Sequence, residues 1–297
     1  MSQAEAVARP VARPAETLSE RIVRLLNRAP IHLALGLVAL IWLAPTVGLL
    51  VTSFRPRSDI QATGWWETIL TLRFTIENYE SVLTAQGMLD AFRNTIVIAV
   101  PSTVLPLTVA SLAAFAFSWV RFPFRDTLFL LVVALMMVPI QVAFIPLLQI
   151  FAPFGVTQGF VGVWLAHTAF ALPFGIFLLR NFFITLPRDL IEAARIDGTS
   201  DFGIFWRIVV PLSVPAIAAY GIFQFLWVWN DLLVALVFVQ RGENWPMTRA
   251  IQNLLSQYGT EWHLLAAGAF IQMLVPLLVF FSLQRYFVQG LLAGSVK

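Results

Sequence analysis

The chain has no cysteine, and its only lysine, Lys297, is the last of 297 residues; charged residues make up 12% of it. Without cysteine there is neither a disulfide framework nor a thiolate metal site. Without an internal lysine there is no GxxxxGK[ST] loop to grip nucleotide phosphates, so any ATP-driven step needs another subunit. A charged share far below the ~25% of soluble domains, beside 59% hydrophobic residues, excludes an ordinary soluble fold. The net charge of +3 is small and gives no footing for a nucleic-acid partner. Acids lie almost entirely between the apolar stretches, which argues against an integral membrane enzyme. No internal repeat is evident, which argues against an ion-coupled secondary transporter made of two inverted halves.

Six apolar stretches are present, at 31–51, 94–120, 127–151, 160–182, 214–240 and 264–286. Each is long enough to cross about 30 Å of hydrocarbon at ~1.5 Å per residue. They predict an all-α integral membrane protein with about six transmembrane helices. Residues 1–30, with Arg9, Arg13, Arg21, Arg24 and Arg28, predict a cytoplasmic tail ending in a short surface helix, and 31–297 the transmembrane domain. A secretory signal fits less well, because the first apolar run is longer than a signal core and lacks a small-x-small cleavage site. Counted over alternating loops, Arg and Lys divide 13 to 6 in favour of the N-terminal side, which predicts both termini inside. Trp65 and Trp66 suit an aromatic belt outside. Pro45, Pro101, Pro106, Pro139, Pro146, Pro173 and Pro276 interrupt the spans and predict kinked helices in a bundle that bends around a cavity.

One polar island, from Glu192 to Ala216, separates the fourth and fifth spans on the inside. Glu192, Ala193 and Ala194, followed by Asp197, Gly198 and Thr199, predict a short helix with small residues on one face and acids on another. Gly198 permits a turn, and Phe202, Phe205, Trp206, Ile208 and Val209 are expected to pack on the membrane end of the bundle. Composition by itself favours a solvated amphipathic linker lying on the headgroups.

The EAA triplet, three residues, Gly198, and then Pro211-Leu212 through Pro215 resemble the EAA motif of importer-type ABC permeases. The likeness extends to Asn94-Thr95, the run Arg121-Phe122-Pro123-Phe124-Arg125, Trp229-Asn230-Asp231, Gln284-Arg285-Tyr286-Phe287 with Gly290-Leu291, and Ala293 to Lys297. Thr199 departs from the commoner Ala. From about residue 30 the chain is similar to the second permease subunit of carbohydrate importers of the maltose-transporter type. The resemblance implies a type I ABC importer permease fold in the plasma (inner) membrane of a prokaryote, with the island (about 186–213) as a coupling loop seated in a groove of an ATP-binding subunit. Glu192 would pair with a basic group there, Ala193 and Ala194 would allow close approach, and Gly198 would set the elbow. Gly294, Ser295, Val296 and Lys297 would make a second ATPase contact. Implied partners are a homologous second permease, two ATP-binding subunits that carry ATP and Mg, and an extracytoplasmic sugar-binding protein docked by the stretches 55–93 and 241–262. The chain itself would hold no cofactor and catalyse nothing. A permease for a non-sugar solute is the nearest alternative.

Within the spans Asp231 stands out, since a charge at bilayer depth costs about 3 kcal/mol near the centre. With Asn230, and with Trp227 and Trp229 offering faces to sugar rings, it is expected either to line the substrate path or to pair with another helix. Asn94, Gln141, Gln149, His167 and Gln272 are weaker pathway candidates. His167 has no acid or histidine at ligand spacing, so it is expected to be a packed or water-lining residue and no metal site is expected.

Overall fold

The computed structural model describes the backbone of residues 18–257 and 261–293 and the side chains of 29–255 and 261–284. The long helices are α1 (Leu18–Ser53), α5 (Met88–Trp119), α8 (Phe160–Phe183), α12 (Val214–Trp229) and α15 (Trp262–Ala293). Between α1 and α5 lie α2 (Arg57–Ala62), α3 (Trp65–Thr71) and α4 (Glu77–Thr84). α6 (Arg125–Leu135) and α7 (Ile140–Phe151) join α5 to α8; α9 (Arg188–Ile196), α10 (Asp201–Ile204) and α11 (Val210–Leu212), with a π-helical turn at Phe205–Val209, join α8 to α12. α13 (Leu233–Phe238) and α14 (Met247–Gln257) lead into α15.

Two apolar cores sit at opposite ends of the bundle. One gathers Met88, Ile98, Phe151, Val163, Trp229, Phe238, Met247 and Leu264. The other gathers Ala114, Phe115, Leu179, Phe183, Ile191, Phe205, Val209 and Tyr220. Because α5 and α8 each start in the first core and end in the second, they run parallel; α6–α7 and α12 return the other way. Among the described residues, four helices are long and apolar enough to cross a membrane singly, and the count reaches six when two bent pairs are each taken as one span. The expected third span is one such pair: α6 and α7 meet at 110°, broken at residues 136–139, where Pro139 cannot donate a helical hydrogen bond. The expected fifth span ends as a helix at Trp229 and resumes only over Leu233–Phe238. The second span starts at Met88, ahead of the expected Asn94. The expected short surface helix is instead continuous with the first span in α1, with Pro30 and Pro45 inside it.

The prolines tie the bundle together. A proline inside a helix leaves the carbonyl four residues earlier without its donor, and an unpaired carbonyl in hydrocarbon costs several kcal/mol. Pro101 frees Val97, whose carbonyl accepts from Trp164 Nε1 of α8 at 2.9 Å. Pro106 frees Ser102, whose carbonyl accepts from Gln224 Nε2 of α12 at 3.0 Å. Pro276 frees Gln272, whose carbonyl accepts from Trp229 Nε1 at 3.0 Å. These bonds lie in the three helix pairs that share the most contact, α5 with α8, α5 with α12 and α12 with α15. Close approach of α8 and α12 also depends on Gly175, where a Cβ would run into the Tyr220 ring.

At the Met88 end, α2–α4 form a cap. Buried Arg55 donates to the carbonyls of Asp59 and Thr63 and to Thr63 Oγ1, and Asn78 Nδ2 donates to the carbonyls of Ser53 and Arg55, both at 2.9 Å. Trp65, expected in an interfacial belt with Trp66, is half-buried against Gly48, while Trp66 is exposed. α1 packs on α3 and α15 and leaves Leu35, Leu37, Leu40, Ile41 and Trp42 exposed.

Candidate functional site

The polar island folds into an elbow at the end of the bundle opposite Met88. α9 stops at Asp197 because Gly198 takes φ +79°, a left-handed conformation that suits glycine. Gly198 N donates to the Arg195 carbonyl at 3.1 Å and Thr199 N to the Ala194 carbonyl at 2.9 Å, which together form a Schellman C-cap. The chain restarts at once: Ser200 Oγ accepts from Gly203 N at 3.2 Å and caps α10. Two caps back to back make a rigid corner with a fixed turn.

That corner is fastened to the bundle by one face. Ile191 and Ala194 of α9 and Ile204, Phe205 and Val209 beyond it are buried among Ala114, Phe115, Leu179 and Phe183. The rings of Phe115 and Phe205 are 5.5 Å apart. Arg195 Nη2 donates to the Trp119 carbonyl at 2.7 Å and to Asp201 Oδ1 at 3.1 Å, placing a cation on the C-terminal end of α5, where the helix dipole favours it. The opposite face is open. Glu192, Ala193, Asp197 and Gly198 are exposed, and so is Ile196, at 86%. Two expectations are corrected here. Ala194 points into the chain's own core, because it shares with Ile191 the face three residues apart that packs on the bundle, and it presents nothing to a partner. Phe202, 65% exposed, stays off the bundle, and Trp206, 50% exposed, packs edge to face on Phe202 and on Phe205, while Ile204, Phe205 and Val209 are the buried anchors.

The second constellation is the break after α12. Asp231 Oδ2 accepts from Val234 N at 2.9 Å and from Ala235 N at 3.4 Å, capping α13. His167 Nε2 of α8 is 3.8 Å from the same oxygen, with only 1% of the His167 and 7% of the Asp231 side chain exposed. Thr248 Oγ1 of α14 donates to the Asp231 carbonyl at 2.8 Å. Trp227 meets His167 edge to face at 5.2 Å. The His167–Asp231 contact spans residues far apart in sequence, which is why spacing gave no hint of it. Trp229, expected to offer a face to sugar, is sealed in the core at 1% exposure. Asn230 is exposed and its Nδ2 turns back on the Leu226 carbonyl at 2.8 Å.

Asn94 Nδ2 donates to the carbonyls of Glu243 and Trp245 at 2.8 and 3.2 Å. Asn94 and Asp231 therefore hold opposite ends of one segment, 243–248. Gln141 is exposed at the start of α7, just past the 110° bend, and is not among the partners of either. Gln272 contributes its carbonyl to Trp229. Gly294, Ser295, Val296 and Lys297, like the N-terminal tail before residue 18, lie outside the described residues.

Residues 106–292 match the family described as binding-protein-dependent transport system inner membrane component. The chain is 52% identical over 276 residues to the osmoprotective compounds uptake permease protein GgtD of Synechocystis sp., covering 91% of this chain and 93% of that one. It is 53% identical over 231 residues to the alpha-glucoside transport system permease protein AglG of Rhizobium meliloti, covering 76% of this chain and 61% of that protein. It is 31% identical over 271 residues to the arabinooligosaccharides transport system permease protein AraQ of Bacillus subtilis, covering 91% and 96% of the two chains. In fold it is similar to a chain in a crystal structure of a bacterial alginate ABC transporter in complex with an alginate pentasaccharide-bound periplasmic protein, at TM-score 0.66 and 15% identity over 90% of this chain and 96% of that one.

Proposed function

The chain belongs to the family of binding-protein-dependent transport system inner membrane components, and on that premise we propose that it is a permease subunit of an ATP-driven carbohydrate importer. It forms half of the translocation path and converts closure of the ATPase into alternating access. The names of two relatives, permeases for alpha-glucosides and arabinooligosaccharides, support a carbohydrate cargo, and the family match supports an importer subunit over an ion-coupled carrier.

The observation that carries the reading is the two-faced elbow: anchored by Ile191, Ala194, Ile204, Phe205 and Val209, open at Glu192, Ala193, Ile196, Asp197 and Gly198. A rigid corner fixed to the ends of α5 and α8 transmits a push on its open face as a tilt of both helices. In this reading the open face, with Thr199 beside it, sits against an ATP-binding subunit, and Gly294, Ser295, Val296 and Lys297 make a second contact. ATP and Mg are bound by two such partner subunits. Both termini and the elbow face the cytoplasm, in keeping with the arginine count, and α2–α4 and α14 face the extracytoplasmic binding protein. A homologous permease subunit completes the path, covering the exposed apolar faces of α1 and of α6 and α7. Asn94, Gln141, Trp227, Asn230 and Asp231 remain its candidate pathway residues, Asp231 chiefly by holding the break between α12 and α13.

Charge reversal on the open face tests this. Glu192→Arg should leave the chain inserted in the membrane while abolishing co-purification of the ATP-binding subunit and sugar uptake. Wild-type uptake with a normally associated ATPase would contradict the assignment.

A further inference from the structure

A polar cavity of about 330 Å³ opens at the Met88 end of the bundle, away from the elbow. α5 joins the two sites. Its 32 residues start beside the cavity and end at Trp119, whose carbonyl binds Arg195, so at ~1.5 Å per residue the cavity and the elbow are roughly 48 Å apart, on opposite sides of a bilayer. One wall carries Gln86, Asp90, Arg93 and Asn94 from the first turns of α5 and the residues just before it; the other carries Glu243 and Trp245. Asn94 locks the walls together through the Glu243 and Trp245 carbonyls, at 2.8 and 3.2 Å. The Arg249 guanidinium lies 5.1 Å from the Trp245 ring and backs it. The Asp90 and Arg93 side chains pair at 3.2 Å and are both exposed at the rim.

From this arrangement we infer that the cavity is a carbohydrate subsite on the extracytoplasmic face of this subunit, where a neutral sugar ring docks on its way into the path. Asp90 pairs with Arg93 at 3.2 Å and Glu243 with Arg241 at 3.9 Å, so the rim carries no excess of acid and offers carboxylate acceptors beside guanidinium donors to a neutral ligand dense in hydroxyls. The Arg93 guanidinium and the Gln86 amide supply donors to the same hydroxyls. The indole, with Ala91 and Ala250 beside it, gives an apolar patch for the C–H face of a sugar ring. The volume lies at the low end of the roughly 300–1,000 Å³ typical of small-molecule sites, room for one ring at a time. The inference rests on the carbohydrate-importer reading and deepens it.

The test exploits the absence of cysteine from the chain. Gln86→Cys, in the complete transporter reconstituted without binding protein, is labelled with a maleimide and the rate read on this chain, with and without excess maltose, sucrose or trehalose. The subsite predicts several-fold slower labelling with a transported sugar and no slowing with glycerol. A companion variant, Asp90→Asn with Glu243→Gln, changes two rim residues, each with 73% of its side chain exposed. It should lower sugar moved per ATP hydrolysed several-fold. Equal labelling with and without sugar overturns the subsite, and so does protection by binding protein alone with loss of ATPase stimulation, which would make the cavity a docking surface. If the wild-type complex moves no carbohydrate, the importer reading itself fails; if it moves carbohydrate but Gln86→Cys is unprotected, only the subsite fails.

Discussion

Trp229 donates its indole N–H to the carbonyl of Gln272, which Pro276 leaves without a helical donor, so the fifth and sixth crossings are joined at a proline. A proline in one span and a donor side chain in the next are a single structural unit, and the same unit recurs between Pro106 and Gln224 and between Pro101 and Trp164.

This pairing makes the two mutations non-additive. Trp229→Phe should destabilise the protein through the lost bond by about 1 kcal/mol, in the range of hydrogen bonds between membrane helices, beyond its packing loss. Pro276→Ala returns a helical donor to Gln272, so the bond term should shrink in that background. Thermal unfolding in detergent of the two single variants and the double variant measures the coupling; strict additivity would contradict the unit.

A Cβ added at Gly198 would meet nothing within 4 Å, so substitution there acts through the backbone alone. Gly198→Ala should cost about 1–2 kcal/mol for a left-handed φ, and Gly198→Asn less. Unfolding midpoints and ATPase co-purification should follow that order, Gly, then Asn, then Ala.

Gly175→Ala should cost about 1–3 kcal/mol by overpacking, since the added methyl meets the Tyr220 ring. In a Tyr220→Leu background the same change should be milder, as differential scanning of the purified chain would show.

Asp231 caps α13 while facing His167. Asp231→Ala should lose about 0.5–2 kcal/mol with the cap, and Asp231→Asn, which keeps an acceptor oxygen, should lose less. The check is the unfolding midpoint of each variant alongside its uptake rate.

Hydropathy makes the crossings legible, and the EAA triplet with Gly198 marks the elbow, because both signals are local. Pro139 signals a kink in the third span but not its 110° size, and the break at 230–232 is hidden because the residues on either side are as apolar as the helices it interrupts. The His167–Asp231 contact and the proline bonds join different helices and leave no trace in spacing. Ala194 reads in sequence as a partner-facing residue because small residues serve a partner and a core equally well; its position three residues after Ile191 is the sign that it turns inward.

The most direct measurement of the elbow's role is maleimide labelling of single cysteines at adjacent positions. Ala193 is exposed and Ala194 buried. In inside-out vesicles Ala193→Cys should label rapidly, lose that reactivity when the ATP-binding subunits are added, and stay unlabelled in right-side-out vesicles treated with an impermeant reagent, while Ala194→Cys labels poorly throughout. Labelling of Ala193→Cys from outside, or labelling unaffected by the ATP-binding subunits, would contradict the account.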